Sequence, residues 1–314
     1  MNFTKLFKVK KGAVLLSNSI VHSFLLVFVL ACTEKKEIKN DVWAEMQVVI
    51  DSVVVPEFKN DIFNIVEFGA VPDSTTLNTK MFADAIAACV KNGGGIVLVP
   101  KGSFLTGPIH LDNNVNLHLE AGSEILFSTN LQDYPIVHTS YEGTELMNFS
   151  PLIYAKNKKN IAITGQGILN GQASNEFWWS WCGSKTYGWK EGNPKQHSSL
   201  AKLKEGMSEN GVPVEERIFG IGEFLRPTFI EPFECENVLI KGVKIINAPF
   251  WIIHPLKSKN VTIDGVTIES HGPNNDGCDP EYSKNVIIKN SVFNTGDDCI
   301  AIKSGRNEDG RRVG

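Results

Sequence analysis

Apolar residues recur along this chain in short alternating runs, each headed by an asparagine. Asn237-Val238-Leu239-Ile240, Asn260-Val261-Thr262-Ile263 and Asn285-Val286-Ile287-Ile288 begin 23 and then 25 residues apart. Asn114-Val115-Asn116-Leu117 and Asn160-Ile161-Ala162-Ile163 are earlier relatives of the same run. Each copy leads into a second short alternating stretch, such as Val243-Lys244-Ile245-Ile246 or Val266-Thr267-Ile268. A fixed period in this range marks a solenoid. Strands of two to five residues cannot bury a face alone, so successive coils must stack; an ordinary β-sandwich would leave the spacing a coincidence. Asparagine tolerates the left-handed turn at the head of each coil, and in register its side chains are placed to form an internal amide ladder.

The period fails in two places. Asn78 to Asn92 reads as one helix, with Phe82, Ala85, Ile86, Cys89 and Val90 on one face and Gly93-Gly94-Gly95 ending it. It is placed to cap the solenoid, whose open end would expose apolar core and strand edges, and Ile96-Val97-Leu98-Val99-Pro100 then begins the strands. Gln172 to about Phe224 reads as a long insertion on one face, carrying Trp178, Trp179, Trp181 and Trp189. Most of these indoles are expected to form the insertion's own small core, with one available to stack on a sugar ring at a cleft. Trp251 and His254 read as coil packing.

The N-terminus differs in kind. Lys5, Lys8, Lys10 and Lys11 precede an apolar run, Phe24 to Ala31, that stops at Cys32. This is the order of a secretory signal, and the interrupted run is too short for a membrane span. Val29-Leu30-Ala31-Cys32 resembles the bacterial lipobox, which predicts processing and lipidation at Cys32. The chain thus divides into a leader over 1–31, a polar tether over 32–60 that links the body to the membrane surface, and a folded body over 61–314. Export to the bacterial outer membrane or cell surface follows, or release to the periplasm or medium.

Composition is that of a globular domain, 42% hydrophobic and 21% charged. Loss of the leader would take the formal charge from -4 to -8, which argues against nucleic acid as a partner. Five cysteines remain after Cys32, and an odd count argues against a complete disulfide framework. Cys278 and Cys299 are placed near each other on adjacent coils, where apolar packing is favoured over a disulfide. No cysteine or histidine spacing suggests zinc, and the chain is read as a monomer.

Candidate chemistry lies in Asn274-Asn275-Asp276-Gly277-Cys278-Asp279 and Asn294-Thr295-Gly296-Asp297-Asp298-Cys299. Asp276 and Asp297 are 21 residues apart, about one repeat. The runs therefore fall on neighbouring coils about 4.8 Å apart, and their carboxylates share one patch. Such a patch suits acid/base work on a glycosidic bond.

These motifs, together with Phe68-Gly69-Ala70, the capping helix, Gly94 to Pro100, Arg226-Pro227 and Asn247-Ala248-Pro249-Phe250-Trp251, resemble glycoside hydrolase family 28, the polygalacturonases, over about residues 61 to 314. The resemblance implies an all-β, right-handed parallel β-helix that hydrolyses α-linked galacturonan, a pectic polysaccharide, with inversion and without a metal or other cofactor. It implies Asp297 as general acid, with Asp276 and Asp298 activating the attacking water. Mutual repulsion among the three carboxylates would hold a proton on one of them. An inverting pair stands roughly 6.5 to 9.5 Å apart. Adjacent strand residues point to opposite faces, so Asp297 and Asp298 can both serve only if the chain bends, which Gly296 permits. Asp279 matches no catalytic position and reads as structural.

A polyanionic substrate needs local cations. Lys303, Arg306, Arg311 and Arg312 follow the acidic pair, and Lys303 and Arg306, with Asn274, are the expected substrate contacts. The run from Lys303 to Arg312 is similar to exo-acting bacterial members. The family's next motifs, Gly-His-Gly and Arg-x-Lys, would lie beyond Gly314, so a C-terminally truncated chain is expected. A rhamnogalacturonan hydrolase, a Ca²⁺-dependent pectate lyase and a surface polysaccharide-binding solenoid or inactive fragment remain as alternatives.

Overall fold

The computed structural model describes residues 42–313, so the leader and Cys32 lie outside the described residues. The chain divides into a unit ending at Met46 and a second beginning at Gln47. The stretch expected as a tether carries a helix, Val42–Ser52, exposed along its length.

From Ile62 onward the chain winds as a parallel β-helix of three sheets. The first sheet stacks Ile62–Asn64, Gly95–Val99, Val115–Leu119, Lys159–Gly165, Glu236–Lys241, Lys259–Asp264 and Lys284–Lys289. The second stacks Asp73–Leu77, Gly102–Thr106, Ser123–Phe127, Ile168–Asn170, Lys244–Ile246, Thr267–Ser270 and Val292–Thr295. The third runs through Ile109–His110, Ile153–Lys156 and Ile230–Phe233, and continues as single bridges, Ile230 to Ile253 to Cys278 to Ile300 and Phe233 to Leu256 to Glu281 to Lys303. Strands thus begin at Ile62, one coil before the Ile96 run from which they were expected.

Register follows the repeat. Val238 pairs with Val261 and Val261 with Val286, while Ile240 pairs with Ile263 and Ile263 with Ile288. Ile240 and Ile263 are fully buried, and each such side chain contributes roughly 1.5–3 kcal/mol by leaving water. The heading asparagines form the expected ladder: the Nδ2 groups of Asn160, Asn237, Asn260 and Asn285 each donate to Oδ1 of the preceding Asn at 2.9–3.0 Å. Asn114, Asn160, Asn237, Asn260 and Asn285 all have φ between 54° and 60°, the left-handed region that asparagine adopts at low cost.

The helix Thr79–Lys91 buries Phe82, Ala85, Ile86 and Cys89 against the first coils, with Val90 packed partly buried beside them. Gly93, Gly94 and Gly95 reverse the chain at φ of 82°, 109° and 155°. A Cβ on Gly94 would also lie 2.6 Å from the Asn114 carbonyl oxygen, so glycine is required there twice over.

Two long excursions leave the corner between the second and third sheets. The first is an antiparallel hairpin, Ile136–Tyr141 and Thr144–Phe149, turning at Glu142-Gly143 with φ of 46° and 81°. It lies along the outer face of the third sheet: Thr139 Oγ1 donates to Glu231, Lys257 donates to Glu145, and the turn reaches Gly305, whose neighbour Arg306 donates its N–H to the Gly143 carbonyl. The second is the expected insertion, with the short helix His197–Ala201 followed by a π-helix, Lys202–Ser208. Its indoles do not make a core of their own. Trp178 is buried in the main core edge-on to Tyr134 and Phe149, and Trp179 Nε1 donates to the Ala248 carbonyl at 2.8 Å.

Candidate active site

The third sheet positions the site. Ile230, Ile253 and Cys278 point into the core, so the next residues, Glu231, His254 and Asp279, point outward in one column. One corner away, Trp251, Asp276 and Asp298 lie level with one another on three successive coils, tied by Ile252 N–H to Asp276 O (2.9 Å) and Gly277 N–H to Asp298 O (2.8 Å). The two acidic runs are therefore on neighbouring coils, as their spacing predicts.

The bend carrying Asp276 is held from behind by two side chains. Asn275 is fully buried and uses its whole amide: Oδ1 accepts from Ser270 Oγ (2.6 Å) and Gly272 N–H (2.8 Å), and Nδ2 donates to the Ala248 and Phe250 carbonyls (3.1 Å each). Arg226, also fully buried, donates to the carbonyls of Pro249 and Pro273 and to the side chains of Gln196 and Asn274, the last at 2.7 Å. Asn274 is thereby fixed in a left-handed conformation at φ 55°. A second bend follows Val292–Thr295 at Gly296 and carries Asp297 and Asp298. Gly296 serves by close approach: a Cβ there would lie 2.6 Å from the Gly272 carbonyl oxygen.

A cleft of about 500 Å³ opens between these bends and the hairpin turn, lined by Glu142, Gly143, Trp251, Asn274, Asp276, Asp297, Asp298, Ile302, Lys303, Ser304 and Gly305. That volume is within the range of ligand sites. All three expected carboxylates line it, with Asn274 and Lys303. Trp251 lines it too, and so replaces the insertion's indoles as the aromatic wall; reading it as coil packing alone is corrected.

The expected basic cluster is mostly committed elsewhere. Lys303 Nζ sits 3.1 Å from Asp276, 3.2 Å from Asp279 and 4.5 Å from the Trp251 ring centre. Arg311 pairs with Glu308, and Arg312 with Asp309. Arg306 stands beside the cleft rather than in its lining, 4.0 Å from Glu142. Among the described residues that line the cleft, Lys303 is the one cation. No three His, Cys, Asp or Glu side chains among the described residues are grouped to hold a metal ion.

Beneath the cleft lies a buried ionic row that sequence reasoning missed. His254 is fully buried, with Nδ1 3.1 Å from Glu231 and Nε2 2.8 Å from Glu281. Burial alone would keep the imidazole neutral, but the two glutamates outweigh it and push its pKa to about 10. Asp279, read as structural, has no exposed surface, and neither of its oxygens accepts a well-aligned hydrogen bond. Burial first, then the charge of Asp276, push it up to about 8. Burial also raises Asp276, with Lys303 pulling the other way. Lys303 is itself raised, since Asp279 and Asp276 outweigh the burial that would lower it. Burial and crowding thus favour a proton on Asp279. Glu231, His254 and Asp279 step by 23 and 25 residues, the step of the asparagines, so the signal was present in the spacing.

A pH signature follows. The native state holds a proton on Asp279 between the ordinary carboxylate pKa near 3.9 and about 8, so this group's contribution makes stability fall as pH rises through that window. Asp279→Asn is expected to flatten that slope and to stabilise the protein at pH 8 by about 1–3 kcal/mol. Urea melts at pH 5 and pH 8 measure this; an equal loss at both pH values would reject it.

Residues 223–309 match the model of Glycosyl hydrolases family 28. An exopolygalacturonase of Thermotoga maritima is similar in structure at a TM-score of 0.83 and 50% identity, over 85% of this chain and 60% of that one. The chain is thus similar to members of glycoside hydrolase family 28. It is also 29% identical to an exo-poly-alpha-D-galacturonosidase of Dickeya chrysanthemi, over 80% of this chain and 43% of that one. A family 28 exopolygalacturonase of Yersinia enterocolitica is similar at a TM-score of 0.62 and 26% identity, over 81% of this chain and 47% of that one. The chain spans about half the length of the curated relatives it matches. Its solenoid is the right-handed parallel β-helix of these family 28 structures.

Proposed function

We propose that this chain carries the catalytic cleft of an inverting, metal-independent hydrolase of α-linked galacturonan that works from a polymer end. Asp297 donates a proton to the leaving oxygen, while Asp276 and Asp298 activate the water that attacks from the opposite side of the sugar. The observation that carries the reading is the convergence of Asp276, Asp297 and Asp298 in one cleft against an aromatic wall. Burial raises Asp276, and Lys303 at 3.1 Å offsets part of that rise, which favours the charged form a base needs.

End-on action rests on the hairpin. A polymer lying along the outer face of the third sheet meets residues 136–149, which cover that face from Glu231 to Gly305. In this reading the hairpin closes the groove on that side, and a chain end enters it. The relatives named as exopolygalacturonases are consistent with this. Export, with a lipid anchor at Cys32 that holds the enzyme at the cell surface, completes the reading; Cys32→Ser should then release the protein from membranes.

The deciding measurement is product analysis on polygalacturonate with a Ca²⁺ chelator present. Saturated mono- or digalacturonate from the first minutes, with the new reducing end in the β configuration, is the expected result. Unsaturated products, retention of the α configuration or binding without cleavage would each reject the reading.

A further inference from the structure

We propose that Glu142, at the hairpin turn, recognises the hydroxyl groups of the terminal sugar and so sets where the polymer stops. This inference rests on the end-acting reading above.

The geometry at Glu142 is asymmetric. Its Oε2 is engaged from behind by Lys204, an ammonium with a side-chain exposure of 9%, and from the rim by Arg306 Nη1 at 4.0 Å. Its Oε1 makes no hydrogen bond among the described residues, although Glu142 lines the cleft. One oxygen is thus neutralised and held, and the other remains an open acceptor. Sugar hydroxyls are donors that such an oxygen can orient, through charge-assisted bonds roughly twice as strong as neutral ones.

Three features fix that acceptor in place. Lys204 lies in the π-helix Lys202–Ser208, a rare form that is frequent at functional sites. The turn itself is sealed to the last coil: Arg306 N–H donates to Gly143 O at 3.0 Å, and a Cβ on Gly143 would lie 2.8 Å from Gly305 C, so the two backbones touch. Glu145, three residues on, is anchored by Lys257 and His138. A carboxylate so fixed also repels the carboxylate of a uronic acid. The terminal sugar is therefore oriented with its hydroxyl edge toward Glu142 and its carboxylate away.

Binding of trigalacturonate to the full chain carrying Asp297→Asn, followed by calorimetry, separates recognition from turnover. Adding Glu142→Ala should weaken binding tenfold or more, and Lys204→Met should weaken it comparably by letting the acceptor move. Glu142→Gln, which keeps one acceptor oxygen, should lose less. In the active protein Glu142→Ala should raise KM far more than it lowers kcat. Unchanged or tighter binding by a Glu142→Ala variant with an unaltered melting temperature would overturn the inference. If the parent releases only end products and Glu142→Ala still binds normally, this inference alone fails. If the parent cuts internally, the end-acting reading fails and this one with it.

Discussion

Asp297→Asn is expected to lower turnover on polygalacturonate by about a hundredfold or more, the usual contribution of a positioned general acid. The amide keeps the size of the carboxyl group and leaves the bend after Thr295 intact, but it has no proton to give to the leaving oxygen. The loss should depend on the leaving group. A galacturonide carrying an acidic phenol needs little protonation, so the same variant should retain much more of its rate on that substrate. Comparing kcat on the two substrates tests the role as well as the residue. Retention of more than a tenth of the rate on the polymer, or equal losses on both substrates, would remove Asp297 from the acid position.

The largest expected effect on stability is at His254. Removing it as His254→Gln leaves Glu231 and Glu281 facing a neutral amide with no exposed surface between them. Breaking a buried ion pair from one side costs about 3–5 kcal/mol, which for a domain of this size lowers the melting temperature by roughly 10 °C. The sign of the pH dependence follows from the raised imidazole. Between its unfolded pKa near 6.5 and about 10 the native state holds the extra proton, so its contribution is complete below 6.5 and lost as pH rises through 10. The variant should therefore lose that alkaline slope. A deficit under 1 kcal/mol at neutral pH would show that the row does not depend on its cation.

The parts legible in the sequence were those locked to the repeat. The asparagine heads, the strands that follow them and the neighbouring positions of Asp276 and Asp298 are set by one period, and a period survives without any knowledge of loops. The capping helix was legible for a similar local reason, since Phe82, Ala85, Ile86 and Cys89 share one face. What was hidden depends on contacts between distant segments. Nothing local announces that residues 136–149 will lie along the third sheet, and that path is what buries Glu231 under Thr139 and brings Glu142 to Lys204. The basic run after Asp298 looked available for substrate because its partners, Glu308, Asp309 and Asp279, are acids whose facing was unknown. Taken singly, Asp279 and His254 each read as packing in a coil. Their step of 25 residues matched the asparagines, but the chemical identity changes at each rung, and a column of unlike residues does not look like a repeat.

The asparagine ladder and the cleft lie at different corners of the same coil, and this separation governs how the protein can change. Chain length at the corner between the first and second sheets is held to pairs such as Gly242-Val243, Gly265-Val266 and Asn290-Ser291, whereas the opposite corner has accepted the hairpin, the insertion and both acidic bends. Long additions at a surface corner carry little entropic penalty. Specificity can therefore be rewritten at one edge, by exchanging whole loops, while the stacking that registers the carboxylates is left untouched. Under the end-acting reading, a grafted hairpin of different reach would lengthen or shorten the groove without moving the three carboxylates, and the reach of that turn would separate trimming a polymer from cutting it in the middle.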